Sequence, residues 1–323
     1  MSTPIAELLS PIADDMAAVD AVIRDRLDSE VVLIRTIGDY IIGAGGKRLR
    51  PALVLLLAKN LGYQGDKQAV MAAVVEFIHT ATLLHDDVVD DSDLRRGKST
   101  ANAVFGNPAS VLVGDYLYSR AFEMMVEVNS MDIMRIMAEA TTVISEGEVL
   151  QLLNVNDPDV TEERYLQVVR FKTAKLFEAA ACAGALLAQA TTEQQLAAAA
   201  YGRHLGTAFQ LIDDLLDYSG NAQTLGKTVG DDLREGKPTL PLLRVLSVGT
   251  EEQKELIRSA IATGDGDFEA VAQAIQATDA LEHTRKAAEA EIEMAIDALT
   301  DLPDNEIRVA LQKVAGLSLK RDN

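Results

Sequence analysis

Two short acidic runs hold the side chains in this sequence best suited to chemistry. His85-Asp86-Asp87-Val88-Val89-Asp90 closes one long apolar stretch, and Asp213-Asp214-Leu215-Leu216-Asp217 closes another, 127 residues later. On a helix, residues four apart share a face one turn apart, so Asp86 pairs with Asp90 and Asp213 with Asp217. Like charges at that spacing repel, and in a helix's last turn they also oppose its dipole, so the arrangement costs stability unless cations occupy it. Hard carboxylate oxygens with room left for water and phosphate suit Mg2+, which takes one or two carboxylates plus a substrate phosphate rather than a full protein cage. A solvated acidic helix end would account for one such motif. Two copies, each closing an apolar helix, favour the metal.

Basic groups supply the opposite charge. Gly45-Gly46-Lys47-Arg48-Leu49-Arg50-Pro51 places three cations after a glycine loop where a helix begins, and Arg95-Arg96-Gly97 follows the first acidic motif. Others stand in Phe171-Lys172-Thr173-Ala174-Lys175, Gly226-Lys227 and Gly236-Lys237-Pro238. Taken singly, each is an ordinary surface ion-pair partner. Beside paired Asp clusters in a chain of net charge −20, they read as receptors for an anion that also carries metal, diphosphate above all.

Helices must position these groups. Ala, Leu, Glu and Gln dominate, and period-2 alternation is almost absent, so the fold class is all-α. Apolar spacing of three and four predicts helices at 5–27, 29–42, 49–61, 67–90, 108–128, 131–154, 161–189, 192–218, 239–248, 251–263, 266–278, 280–299 and 303–318. Breaks are expected at 43–46, 62–65, 96–108, 156–158, 219–238 and Pro303. No linker composition appears, so residues 1–323 are read as a single domain. The stretches 176–190 and 196–216 are apolar on nearly every face and are expected inside a bundle.

Composition excludes several classes. Fifty acidic against 30 basic residues argue against a nucleic-acid partner, and 48% apolar with 25% charged residues is a globular balance. The longest uncharged apolar run, Ala179 to Ala190 after Glu178, is too short for a membrane span. The N-terminal residues lack a basic start and an apolar segment, so no secretory signal is expected. Cys182 is the one cysteine and cannot form an internal disulfide, which fits a cytoplasmic location. Its apolar setting disfavours a thiolate, and no Ser-His-Asp or Cys-His order offers a nucleophile.

With these residues in view, the chain resembles the trans-prenyltransferase family, the all-α isoprenyl diphosphate synthases. GGKRLRP at 45–51, LLHDDVVDDSDLRRG at 83–97, FKTAKLF at 171–177, GTAFQLIDDLLDY at 206–218 and GKTVGDDLREGKPTLP at 226–241 are similar to its signature blocks, in family order. The resemblance is strongest to long-chain bacterial members. It implies an orthogonal helix bundle around a central apolar cavity. It also implies that Asp86 and Asp90 on one side, with Asp213 and Asp217 on the other, hold about three Mg2+ ions per site with substrate bound. The allylic diphosphate, farnesyl diphosphate as primer, would take Arg95, Lys172, Thr173, Gln210, Lys227 and Lys237. Isopentenyl diphosphate, which carries no metal in this family, would take Lys47, Arg50, His79 and Arg96. Read alone, His79 is an ordinary core histidine, and Thr173 could simply bond the backbone one turn back.

The reaction implied is metal-assisted ionisation of the allylic C1–O bond, attack by the double bond of isopentenyl diphosphate, and loss of a proton. No dedicated base stands out, and the released diphosphate is the acceptor proposed here. Catalytic weight then falls on Asp86, Asp90, Asp213, Lys172 and Gln210 as groups that orient, stabilise charge and exclude water. A class I terpene cyclase would carry more aromatics than 4% and no second diphosphate receptor, and a non-catalytic subunit would have lost an Asp motif.

Product length and assembly complete the expectations. Thr82 and Ala81 lie four and five residues before Asp86, about one turn deeper, where small side chains leave a growth tunnel open; Met125 and Met137 are candidates for its floor. The family resemblance implies an eight-unit product for a quinone side chain; seven, nine or ten units are alternatives. The product is expected to pass to a membrane. The apolar surface of 108–128 exceeds what one bundle face needs and, with the resemblance, implies a homodimer.

Overall fold

Residues 7–43, 45–95, 97–219 and 230–319 are described by a computed structural model of the chain. Helix follows helix: α1 (Ala13–Leu27), α2 (Val32–Gly43), α3 (Leu49–Asn60), α4 (Gln68–Val89), α5 (Ala101–Phe105), α6 (Asn107–Val128) and α7 (Met131–Asn154). After them come α8 (Glu162–Val168), α9 (Lys175–Leu187), α10 (Thr192–Ser219), α11 (Asp231–Arg234), α12 (Leu240–Val248), α13 (Glu251–Thr263), α14 (Phe268–Ala277), α15 (Ala280–Ala298) and α16 (Glu306–Leu319). Among the described residues the strands are β1 (Leu94–Arg95) and β2 (Lys98–Ser99), an antiparallel pair with Arg95 opposite Lys98. The all-α expectation is thus met.

Three local departures from the expected pattern have physical reasons. The break at 96–108 contains β2 and the short α5, which helical periodicity cannot register in so few residues. The break at 219–238 contains the four-residue α11. The continuous helix expected over 161–189 is divided between α8 and α9 by a π-helical turn, Val169–Ala174. One extra residue in a turn shifts the phase of the apolar pattern but leaves its period the same on either side, so a reading by period joins the two segments into one helix.

Chain contacts divide into two compact units. The first comprises Met1–Thr141, Leu176–Gly202 and Asp297–Val314. Within it α4 packs against α6, α3 and α1, burying Met71, Phe77, Ile78 and Leu84. Each such side chain contributes about 1.5–3 kcal/mol relative to exposure. Judged by mean hydropathy, α4 is long and apolar enough to cross a membrane, yet 56% of that window is buried within the fold, as in a core helix. The unit's distant stretches are clasped together. Asn60 Nδ2 donates to Asn305 Oδ1 at 2.7 Å, and Asn305 Nδ2 donates to the Asn60 carbonyl at 2.9 Å, across 245 residues of sequence. Tyr201, fully buried, donates to the Leu311 carbonyl at 2.8 Å.

The second unit comprises Thr142–Lys175, Arg203–Ile296 and Ala315–Asn323. Its core gathers Tyr218, Leu233, Leu242, Ile257 and Val271, with α12 packed on α13 and α14. Tyr218 stacks on Phe268 at 6.4 Å between ring centroids, which anchors the end of α10 in that core.

Candidate active site

In the first unit, the start of α3 carries the expected cations. Arg48 caps the helix in the left-handed region, φ 50°, after the glycine loop, and its guanidinium pairs with Glu76 on α4 at 2.8 Å. One turn further along α4, His79 Nε2 lies 3.1 Å from Arg50 Nη1. A guanidinium only donates, so His79 must accept through Nε2 and carry its proton on Nδ1. The Arg50 guanidinium also sits 4.3 Å above the Phe177 ring, a cation–π contact that fixes its plane. Arg50 and His79 are therefore brought together, while Lys47 lies exposed on the glycine loop.

Asp86 falls in the last turn of α4 and Asp90 caps it, its N–H donating to the Asp86 carbonyl at 2.8 Å. Both are half-buried. Asp87 between them turns inward and is 1% exposed, holding Arg95 from β1. The last carbonyls of α4 are met by backbone N–H groups, Ser92 donating to Asp87 O at 3.0 Å and Asp91 to Val88 O at 3.4 Å, and two side chains add further bonds. Ser110 donates to Leu84 O at 3.0 Å, and Asn102 donates to Asp87 O at 3.1 Å. Ala81 is fully buried, and Thr82 is half-buried with its hydroxyl on the His79 carbonyl. Met125 and Met137 are buried in this same unit.

In the second unit, Asp213 and Asp217 lie four apart on α10, both half-buried, with Asp214 turned inward between them. Asp214 accepts from Tyr165 Oη at 2.5 Å and from Gln210 Nε2 at 2.7 Å. Gln210 Oε1 in turn accepts from Thr173 Oγ1 at 2.9 Å. Burial, and then the charge of Asp232, push the Asp214 carboxyl well above the usual carboxylate range, and burial raises Tyr165 beside it. Lys172 donates to Glu148 at 2.6 Å. The Asp217 carboxylate accepts from the N–H groups of Asp231 and Asp232, both at 3.2 Å, and so holds the start of α11. Lys237 follows α11 and pairs with Glu235 at 2.5 Å. Arg96 and Lys227 lie outside the described residues.

The two motifs share one design. In each, the outer Asp residues are half-buried at i and i+4 and the second Asp is buried on a protein donor: Arg95 for Asp87, Tyr165 with Gln210 for Asp214. Among the described residues, no three His, Cys, Asp or Glu side chains gather into a closed metal cage. Paired carboxylates of this kind fit Mg2+ shared with phosphate oxygens. Asp87, Asp214, Tyr165, Asn102, Ser110 and Glu148 were not singled out as site residues in the sequence. Only the first two carried a signal, their place inside the DDxxD motifs.

Residues 31–278 match the family described as Polyprenyl synthetase. The chain belongs to the polyprenyl synthetase family, and it is a prenyltransferase of the long-chain group. It is 56% identical to the octaprenyl diphosphate synthase of Escherichia coli (strain K12) over 312 residues, 96% of this chain and 97% of that protein. It is 45% identical to the all-trans-nonaprenyl-diphosphate synthase (geranyl-diphosphate specific) of Rhodobacter capsulatus, over 98% of this chain and 97% of that one. The polyprenyl synthase from Caulobacter crescentus CB15, solved with calcium and isoprenyl diphosphate, has a TM-score of 0.96 at 44% identity, covering 100% of this chain and 99% of that chain. The expected family, helical fold and prenyltransferase class are borne out by these similarities.

Proposed function

We propose that this chain condenses farnesyl diphosphate with successive isopentenyl diphosphate units to give an all-trans octaprenyl diphosphate for a quinone side chain. The observation that carries the chemistry is the design common to both Asp motifs, with outer carboxylates at i and i+4 and the second one committed to the protein. The eight-unit length is supported by the 56% identity to an octaprenyl diphosphate synthase.

Asp86, Asp90, Asp213 and Asp217 bind Mg2+ together with the allylic diphosphate, and Arg95, Lys172, Thr173, Gln210, Lys227 and Lys237 complete its cradle. The metal, when bound, draws charge out of the diphosphate leaving group. The Asp214–Gln210–Thr173 chain fixes the amide and the hydroxyl beforehand, so little reorganisation accompanies bond breaking. Lys47, Arg50, His79 and Arg96 neutralise isopentenyl diphosphate, with Phe177 and His79 holding the Arg50 plane. Released diphosphate takes the proton.

The enzyme works as a cytoplasmic homodimer that hands its product to a membrane. On α6, Leu112 and Val126 are 66% and 67% exposed; they are fourteen residues apart, close to four turns, and so share a face.

Incubating the purified protein with Mg2+, farnesyl diphosphate and labelled isopentenyl diphosphate, then sizing the dephosphorylated products, tests the reading. A main product of eight units is expected. No incorporation would overturn the activity, and a different main length would overturn the octaprenyl assignment.

A further inference from the structure

The π-helical turn Val169–Ala174 carries Phe171, Lys172 and Thr173, and α7 meets it through two consecutive residues. Gly147 is buried with its Cα against the turn's main chain: a Cβ there would stand 2.6 Å from the Lys172 amide nitrogen and 2.9 Å from Phe171 Cβ. The nearest of these atoms belongs to the backbone, so no side-chain rotation relieves the clash and the turn itself would have to move. The next residue, Glu148, receives Lys172 Nζ at 2.6 Å. One position therefore sets where the backbone of the turn sits and its neighbour sets where the lysine head points. The wider ring of a π turn needs a compact seat of this kind, because its backbone protrudes relative to the α-helices on either side. A serine or alanine at 147 would be unremarkable on an α-helix; the contact surface makes it costly here.

We propose that Gly147 and Glu148 are positioning residues for the allylic diphosphate, acting through Lys172 and Thr173. Gly147 admits the π turn and Glu148 holds the ammonium. The inference rests on the reading that Lys172 and Thr173 bind the allylic substrate. Neither α7 residue need touch it. Misplacing a positioning group by about 1 Å can cost up to about a hundredfold, and the effect should fall on one substrate only.

Steady-state kinetics on the full-length protein, with farnesyl diphosphate and isopentenyl diphosphate varied separately, decide the matter. Lys172→Ala tests the underlying reading, and an unchanged KM for farnesyl diphosphate would remove that reading and the proposal with it. If Lys172→Ala raises that KM, Gly147→Ala and Glu148→Gln are each expected to raise it about tenfold, leaving the KM for isopentenyl diphosphate within about twofold. Glu148→Gln added to Lys172→Ala should then change little further. Normal KM values for both substrates in the two α7 variants, or equal rises for both substrates, would overturn the proposal. Glu148→Gln, which keeps the size of the side chain, carries the test if Gly147→Ala fails to fold.

Discussion

Arg95 places both Nε and Nη2 on a single oxygen of Asp87, at 2.8 and 2.7 Å, and that carboxylate is 1% exposed. The second aspartate of the first motif is thus the seat of a cation on the neighbouring hairpin. A buried, two-donor ion pair of this kind is costly to break from one side, because the charge left behind remains desolvated.

Arg95→Ala is accordingly expected to lower unfolding stability by about 2–4 kcal/mol and to raise the KM for the allylic diphosphate. Urea denaturation and steady-state kinetics read the two effects separately. Arg96→Ala should instead raise the requirement for isopentenyl diphosphate, and equal effects of both variants on both substrates would undo the division.

Tyr165→Phe removes one buried donor from Asp214 without changing the ring. The expected loss is about 1–3 kcal/mol of stability, with lower turnover as Gln210 loses its fixed partner geometry. Unchanged denaturation and unchanged kcat would show that the hydroxyl does not organise the second motif.

Asp86→Ala and Asp213→Ala should each lower turnover by orders of magnitude while leaving the fold as stable as before or slightly more so, since each removes one member of a like-charged pair. Circular dichroism with heating and product assay together decide. Near-normal activity in either variant, or unfolding of both, would make these carboxylates structural.

Ala81→Tyr is expected to shorten the main product to about farnesyl or geranylgeranyl length with condensation preserved. Ala81 is fully buried, so overpacking should also cost about 1–3 kcal/mol. Reverse-phase sizing of dephosphorylated products checks the first effect; an unchanged distribution in a folded variant means the growing chain does not pass this residue.

Replacing Leu112 and Val126 together with Glu should convert the dimer to a monomer of about 35 kDa in sedimentation at micromolar concentration, and a wild-type protein that already sediments as a monomer would sink the homodimer.

The long helices were legible because each buries a periodic apolar stripe, and α4, α6, α7 and α10 begin and end within a residue or two of expectation. The outer Asp residues were legible because their i, i+4 spacing has no cheap structural use. The π turn was not, because an inserted residue shifts the phase of the apolar stripe while its period stays the same on both sides. Glu148 and Tyr165 were hidden for another reason: each joins the candidate site through long-range contacts, and a lone Glu or Tyr in a helical sequence has no periodic signature. Asp87 and Asp214 lay inside the motifs in plain view, but their inward turn depends on Arg95 and Tyr165, which the sequence separates from them by 8 and 49 residues.

The clasp between Asn60 and Asn305 has a consequence for how the protein comes into being. The unit holding the first Asp motif is assembled from three stretches, the last of them 297–314. At about 5–20 residues per second, a ribosome needs roughly 12–50 s to travel the 245 residues between the two asparagines. Through that interval the Asn60 side-chain amide and main-chain carbonyl wait without the partners that Asn305 brings, although α4 and α1 already cover α3. A stop codon anywhere before position 297 would therefore strip the unit encoded first of its third stretch.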